Sequence, residues 1–227
     1  MNDRPTGSKG ERQPGAEQGS QVPHRQPADQ ALPHPVDVDL PDAAEIATSL
    51  DRPNEAGSEP RVVVSCEEAA WQEAFPDAMG FLGDVARQAV LGSGRASSAG
   101  PDEVSLVLSG DAQQQELNRR WRGYDSPTNV LSFPDGTALA DGGRLLGDVV
   151  LALETLQREA VAQNKSLRDH SAHLVVHGVL HLLGFDHEEA GQAALMEGLE
   201  VQLLATLNIA DPYAEEAEVP PLDRGHL

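Results

Sequence analysis

The sequence predicts an α+β domain in which helices pack against one small sheet, and three observations carry that expectation. Short β-branched runs bounded by Gly and Pro recur four times in the middle of the chain. Longer stretches with apolar residues three and four apart lie between and after them. The two kinds of segment do not alternate strictly, so a single sheet with helices gathered against it suits them better than a regular βα repeat.

Taken in order, Arg61 to Ser65 reads as a first strand. Glu67 to Leu91 carries Trp71, Phe75, Phe81, Leu82, Val85 and Val90 and suits one or two helices, with Pro76 as the break. Small residues from Gly92 to Gly100 make a loop. Glu103 to Ser109 is a second strand, entered after Pro101 and left at Gly110. Asp111 is placed to cap a helix over 112–121 that Gly123 closes. Asn129 to Phe133 is a third strand ended by Pro134 and Gly136, and Gly147 to Ala152 a fourth, with a loop or hairpin between them. Three helices follow, over about 154–163, 167–183 and 188–207; in the last, Met196, Leu199, Leu203 and Leu207 form a core stripe.

Residues 1–60 are rich in Pro, Gly, Gln, Asp and Glu and have no aromatic residue, so they are expected to form a disordered acidic N-terminal tail. Residues 212–227 are expected to form an acidic C-terminal tail. Between them, 61–211 is long enough for one domain with a substantial core. No apolar run is long enough to span a bilayer, and no signal or transit peptide is recognisable. Cys66 is the single cysteine, which excludes an intramolecular disulfide and fits a reducing cytoplasm. The net formal charge is −21, and residues 61–211 alone hold 10 Lys and Arg against 22 Asp and Glu. Such acidity opposes broad affinity for nucleic acid unless cationic groups are concentrated. Arg119, Arg120 and Arg122 beside Trp121 are one such concentration, although a solvated helix face accounts for Arg119 and Arg120.

The most informative run is His177-Gly178-Val179-Leu180-His181-Leu182-Leu183-Gly184-Phe185-Asp186-His187. Residues four apart share a helix face, so His177 and His181 can address one ion. Gly184 is placed for a left-handed turn that ends the helix and returns the chain, which can bring in His187 as a third ligand. Three neutral imidazoles with a coordination position left open describe a catalytic transition-metal site, zinc first among the candidates. His170 and His173, one and two turns earlier, are expected on a polar face or behind the ligands.

With this run, two further blocks resemble the YbeY family of bacterial metal-dependent endoribonucleases: Leu117 to Pro134, containing Trp121-Arg122-Gly123-Tyr124-Asp125-Ser126-Pro127-Thr128-Asn129, and Leu146 to Val150. The three blocks stand in the family's order, and the resemblance covers about residues 61–210. It implies a four-stranded α+β domain similar to the zincin-like metalloprotease fold. It also implies one metal ion on His177, His181 and His187, and a catalytic role for Arg122, which occupies the position of the arginine implicated in the family's activity. The implied function is single-strand endoribonuclease action in 16S rRNA 3′-end maturation and ribosome quality control. The partners would be ribosomal RNA and ribosomal proteins in the cytoplasm, with no DNA or membrane partner.

Read from the residues alone, a three-histidine metal fits both phosphodiester and peptide hydrolysis. Zinc peptidases place a glutamate base directly after the first histidine, where this chain has Gly178. Asp186 is expected to fix His187 or cap the last helix. Asn129 and Ser132 are candidates for hydrogen bonds near the site, and Asp148 for a supporting or structural role. The alternatives are a non-catalytic ribosome-assembly factor with a structural metal, which the acidic surface suits, and, behind it, a zinc metallopeptidase.

Overall fold

The computed structural model describes residues 58–214. Four strands form one mixed sheet in the order β1-β2-β4-β3: β1 (Arg61–Cys66), β2 (Glu103–Ser109), β3 (Val130–Ala138) and β4 (Arg144–Ala152). β1 pairs with β2 and β2 with β4 in parallel, while β3 runs antiparallel along β4 as an edge strand. Six helices accompany it among the described residues: α1 (Ala70–Ala74), α2 (Ala78–Gly92), α3 (Asp111–Arg122), α4 (Leu153–Ala162), α5 (Leu167–Leu182) and α6 (Ala190–Thr206). The expected α+β architecture with a four-stranded sheet is therefore present.

Side-chain alternation on the strands decides which helix meets which face. Val64, Leu106, Val149 and Ser132 are register partners across the four strands and face one way. Gly83 of α2 lies over Val64, and Gly178 of α5 over Val149 and Ser132. α6 then packs outside α2 and α5. Val85, Val90, Leu106, Val149, Val175, Val179 and Leu204 are fully buried in this layer. On the opposite face Phe133, next to Ser132 on β3, carries the ring of Trp121 at the end of α3 at 6.0 Å between centroids. The two tryptophans contrast sharply: Trp71 is 1% exposed and donates through Nε1 to Ser109 O at 2.9 Å, whereas Trp121 is 53% exposed.

Several boundaries differ from the sequence reading, for local reasons. The third strand does not stop at Pro134. β3 is an edge strand, where a missing N–H is tolerated, and the register shifts between Pro134 and Thr137 as the hairpin with β4 continues to Ala138. Asp111 is not a cap for its own helix, whose N-cap is Gly110. Its carboxylate instead accepts Thr155 N at 3.0 Å and Thr155 Oγ1 at 2.7 Å at the start of α4, while Glu154 Oε2 accepts Asp111 N at 2.8 Å. Each of these two helix starts is thus satisfied by the other's acid. The expected break at Pro76 does separate α1 from α2. The disordered tails expected outside 61–211 fall on residues that lie, for 1–57 and 215–227, outside the described ones. Tyr213, assigned above to the C-terminal tail, is packed against the domain through the His173 ring.

Candidate metal centre

The site is built on α5, an unusually enclosed helix. Ser166 caps it through Oγ, which accepts Asp169 N at 3.0 Å. At its other end the chain closes as the glycine turn requires. Gly184 takes φ +81°, its N–H reaches His181 O at 3.0 Å, and Phe185 N reaches Leu180 O at 3.0 Å. These two bonds make a Schellman closure, satisfying carbonyls that the helix end leaves open. Arg95 reinforces it, donating from Nη1 to Leu183 O at 2.8 Å while its guanidinium lies 3.9 Å over the buried Phe185 ring. A cation at a helix C-terminus is favoured by the backbone dipole. Burial and the neighbouring Arg144 push the Arg95 guanidinium below its ordinary value. The returning chain then presents His187, whose backbone N–H is held by Asp186 Oδ1 at 2.7 Å. Of the two roles expected of Asp186, it bonds the backbone of His187 and does not cap α6, whose N-cap is Glu189.

His177, His181 and His187 converge, each offering a ring nitrogen, with the three ligand atoms within 4.8 Å of one another. Ring centroids stand 4.5, 5.3 and 4.9 Å apart. His181 donates from Nδ1 to Phe185 O at 3.0 Å, and His177 from Nδ1 to Glu200 Oε1 at 2.9 Å. Both acceptors lack protons to give, so both Nδ1 atoms carry hydrogen and both Nε2 atoms are turned toward the site. These two Nε2 atoms are 3.1 Å apart. Ligands at about 2.05 Å around a tetrahedral zinc would be separated by about 3.3 Å. Burial, with His177 and His187 as further causes, drives the His181 pKa down to about 2, so its ring is neutral, as a ligand must be. His187 Nε2 is buried without a hydrogen-bond partner among the described residues. The demand for positive charge is three-sided, which one proton cannot meet and a metal ion can. The residues fit the metal.

Glu200 is the functional residue that the sequence reading passed over. It sits on α6 within the stripe assigned to the core, 1% exposed, and accepts hydrogen bonds from His177 and His173. Burial alone would raise its carboxyl, but the two histidine hydrogen bonds outweigh it and hold the group well below the usual carboxylate range. The signal was available: Glu200 lies four residues after Met196 and three before Leu203, on the buried face, where an unpartnered carboxylate is too costly. His173 and His170 fall behind the ligands as expected. His173 Nε2 donates to Glu200 Oε2 at 2.8 Å, and burial lowers its pKa against the pull of that carboxylate. His170 Nε2 meets Glu159 Oε2 at 2.9 Å, and Glu159 also accepts from Asn129 Nδ2 at 3.0 Å.

The remaining candidates separate. Ser132 is buried and donates to Gly178 O at 3.3 Å, tying the edge strand to the metal helix. Asn129 serves the His170 network rather than the ligands. Asp148 is exposed and pairs in register with Phe133, on the face away from α5. Arg122 is the last residue of α3, half-buried, on the helix end whose Trp121 packs against Phe133. Gly178 has a steric reason: a Cβ there would lie 2.7 Å from Val149 Cγ1 and 3.0 Å from Ser132 Oγ. The position directly after the first histidine is pressed onto the sheet and has no room for a glutamate base.

Residues 67–208 match the family model described as Endoribonuclease YbeY. An Endoribonuclease YbeY of Paramagnetospirillum magneticum is 53% identical over 152 residues, 65% of this chain and 92% of that protein. One of Methylocella silvestris is 47% identical over 156 residues, covering 69% and 87%. One of Rhodospirillum rubrum is 45% identical over 199 residues, covering 83% and 94%.

Proposed function

Since this chain belongs to the YbeY endoribonuclease family, we propose that it is a metal-dependent endoribonuclease that cleaves single-stranded ribosomal RNA, in 16S rRNA 3′-end maturation and ribosome quality control in the cytoplasm. The observation that carries this reading is the convergence of three imidazole nitrogens, with two of the rings fixed from behind through Nδ1. We assign zinc, one ion per chain, to His177, His181 and His187. When bound, a divalent ion there supplies Lewis-acid stabilisation of phosphoryl charge and lowers the pKa of water.

The chain's own residues supply the rest. Glu200 and the Phe185 carbonyl hold the His177 and His181 rings in one tautomer, so no reorientation is needed at the moment of reaction. Arg122 binds a phosphate of the substrate strand through its guanidinium fork, countering charge on the non-bridging oxygens. Asp186 keeps His187 in place through its backbone. Gly178 leaves no space for the peptidase base, which favours phosphodiester over peptide cleavage.

The test is cleavage of a defined single-stranded fragment from the 3′ end of 16S rRNA by the zinc-loaded protein, beside His181→Ala and Arg122→Ala. Discrete products that vanish in both variants are expected. Equal residual cleavage in all three would sink the nuclease reading and favour a ribosome-assembly factor, toward which the excess of acid over base in residues 61–211 already points.

A further inference from the structure

Behind the three ligands lies a second layer that reaches the C-terminal end of the described chain. Glu200 Oε1 receives His177 Nδ1 at 2.9 Å, and its other oxygen, Oε2, receives His173 Nε2 at 2.8 Å and the Tyr213 hydroxyl. The rings of Tyr213 and His173 meet edge-on at 5.5 Å. Tyr213 is itself fastened: its N–H donates to Asp211 Oδ1 at 2.8 Å, and Lys165 Nζ donates to the preceding Pro212 O at 2.8 Å. The chain beyond α6 is thus tied to the start of α5 and closed over the carboxylate.

We propose that Glu200, gripped by His173 and Tyr213, is a positioning residue that fixes His177 as an Nε2 ligand, and that the Asp211–Tyr213 segment acts as a strap setting metal affinity from outside the ligand set. The geometry gives each donor a separate task. Two donors on Oε2 leave the carboxylate one orientation, and that orientation aims Oε1 at His177. An imidazole whose Nδ1–H is held by a carboxylate presents its Nε2 lone pair in a fixed direction and with greater basicity. Removing the hydroxyl of Tyr213 frees the carboxylate to turn about its last bond without touching any ligand. This inference rests on the metal site assigned above and is independent of which substrate that site acts on.

The experiment measures zinc affinity by competition with a chromophoric chelator, using the full chain as wild type, Glu200→Gln, Tyr213→Phe, the double variant, and Leu199→Ala. The last removes core volume from the same helix without touching the network. Glu200→Gln is expected to weaken zinc binding about 10- to 100-fold, the range for lost supports of metal-bound histidines. Tyr213→Phe should weaken it several-fold, and the double variant no more than Glu200→Gln alone, because the two act through one carboxylate. Leu199→Ala should lower stability and leave affinity unchanged. In the metal-free protein, histidine 15N spectra should show His177 moving from pure Nδ1–H toward a mixture in Glu200→Gln. If wild type binds no zinc, the metal site and the strap fall together. If wild type binds zinc and Glu200→Gln binds it equally well with His177 unchanged, the strap alone is overturned; so it is if Leu199→Ala loosens zinc as much.

Discussion

The two helices that hold the candidate site residues are opposites. Twelve of the sixteen residues of α5 are buried, among them the metal-site histidines His177 and His181, whose Nδ1 atoms each find an acceptor. In α3 only Gln114 and Asn118 are buried, both polar, and of the arginines at its C-terminal end Arg119 and Arg120 are exposed and Arg122 is half-buried. Gln114 donates to Val150 O and Asn118 to Ser126 O, so α3 is attached by hydrogen bonds where α5 is attached by packing. An enclosed helix fixes its functional groups in advance of any ligand. An exposed one fixes fewer of its groups beforehand. Of the candidate ligands, His177 and His181 belong to the first kind of helix, and Arg122, the proposed phosphate-binding residue, belongs to the second.

Five outcomes would sharpen or break that contrast. His181→Ala should abolish tight zinc binding, by more than the 10- to 100-fold expected of a lost support, and remove cleavage with it; retained stoichiometric zinc at micromolar concentration would show that α5 is not the site. Arg122→Ala should lower cleavage about 100-fold, with zinc affinity within about twofold of wild type. Arg122→Lys should recover only part of that loss, since lysine lacks the planar fork. Parallel loss of zinc in Arg122→Ala would mean that the two helices form one rigid unit after all.

Between α5 and α3, acid should act on the α5 side. His181 in the fold has a pKa of about 2 against its ordinary 6.5, so the unfolded chain takes up the proton first. Stability from this group is complete above pH 6.5 and is lost as pH falls from there toward 2. Glu200, also depressed, adds loss in the same direction below the usual carboxylate range. The stability of the zinc-free protein should therefore drop between pH 7 and pH 5 by up to about 1.4 kcal/mol per pH unit from His181, and its melting temperature should fall with it. A flat profile over that range would contradict the neutral, enclosed ring. The smallest effect is expected from Trp121→Ala, whose half-exposed ring contributes one edge contact to Phe133, about 0.5–1 kcal/mol by denaturant midpoint.

The same contrast explains what could be read from sequence. The histidine spacing, Gly184 and the apolar residues between them specify one geometry, because a helix, its left-handed closure and its burial all constrain the same atoms. The Pro76 break and the four strands were legible for similar local reasons. Glu200 was not, since its meaning depends on α6 crossing α5, twenty-three residues away in sequence from His177. Asp111 was assigned to its own helix because a cap is a local pattern, whereas its true partner, Thr155, comes next to it only through the parallel pairing of β2 and β4. Pro134 looked like a strand end because edge position is a property of the sheet and not of the run. Arg95, which closes the metal helix, carried no pattern at all within its small-residue loop.

The paired tryptophans give the molecule two built-in reporters with different views. Trp71, walled in near Ser109, emits from an apolar surrounding and changes only when the domain opens. Trp121 emits from water beside Arg119, Arg120 and Arg122, within reach of collisional quenchers and of any base that stacks on it. One emission spectrum, split by iodide or acrylamide accessibility, would therefore follow unfolding and strand docking as separate signals in the unlabelled protein.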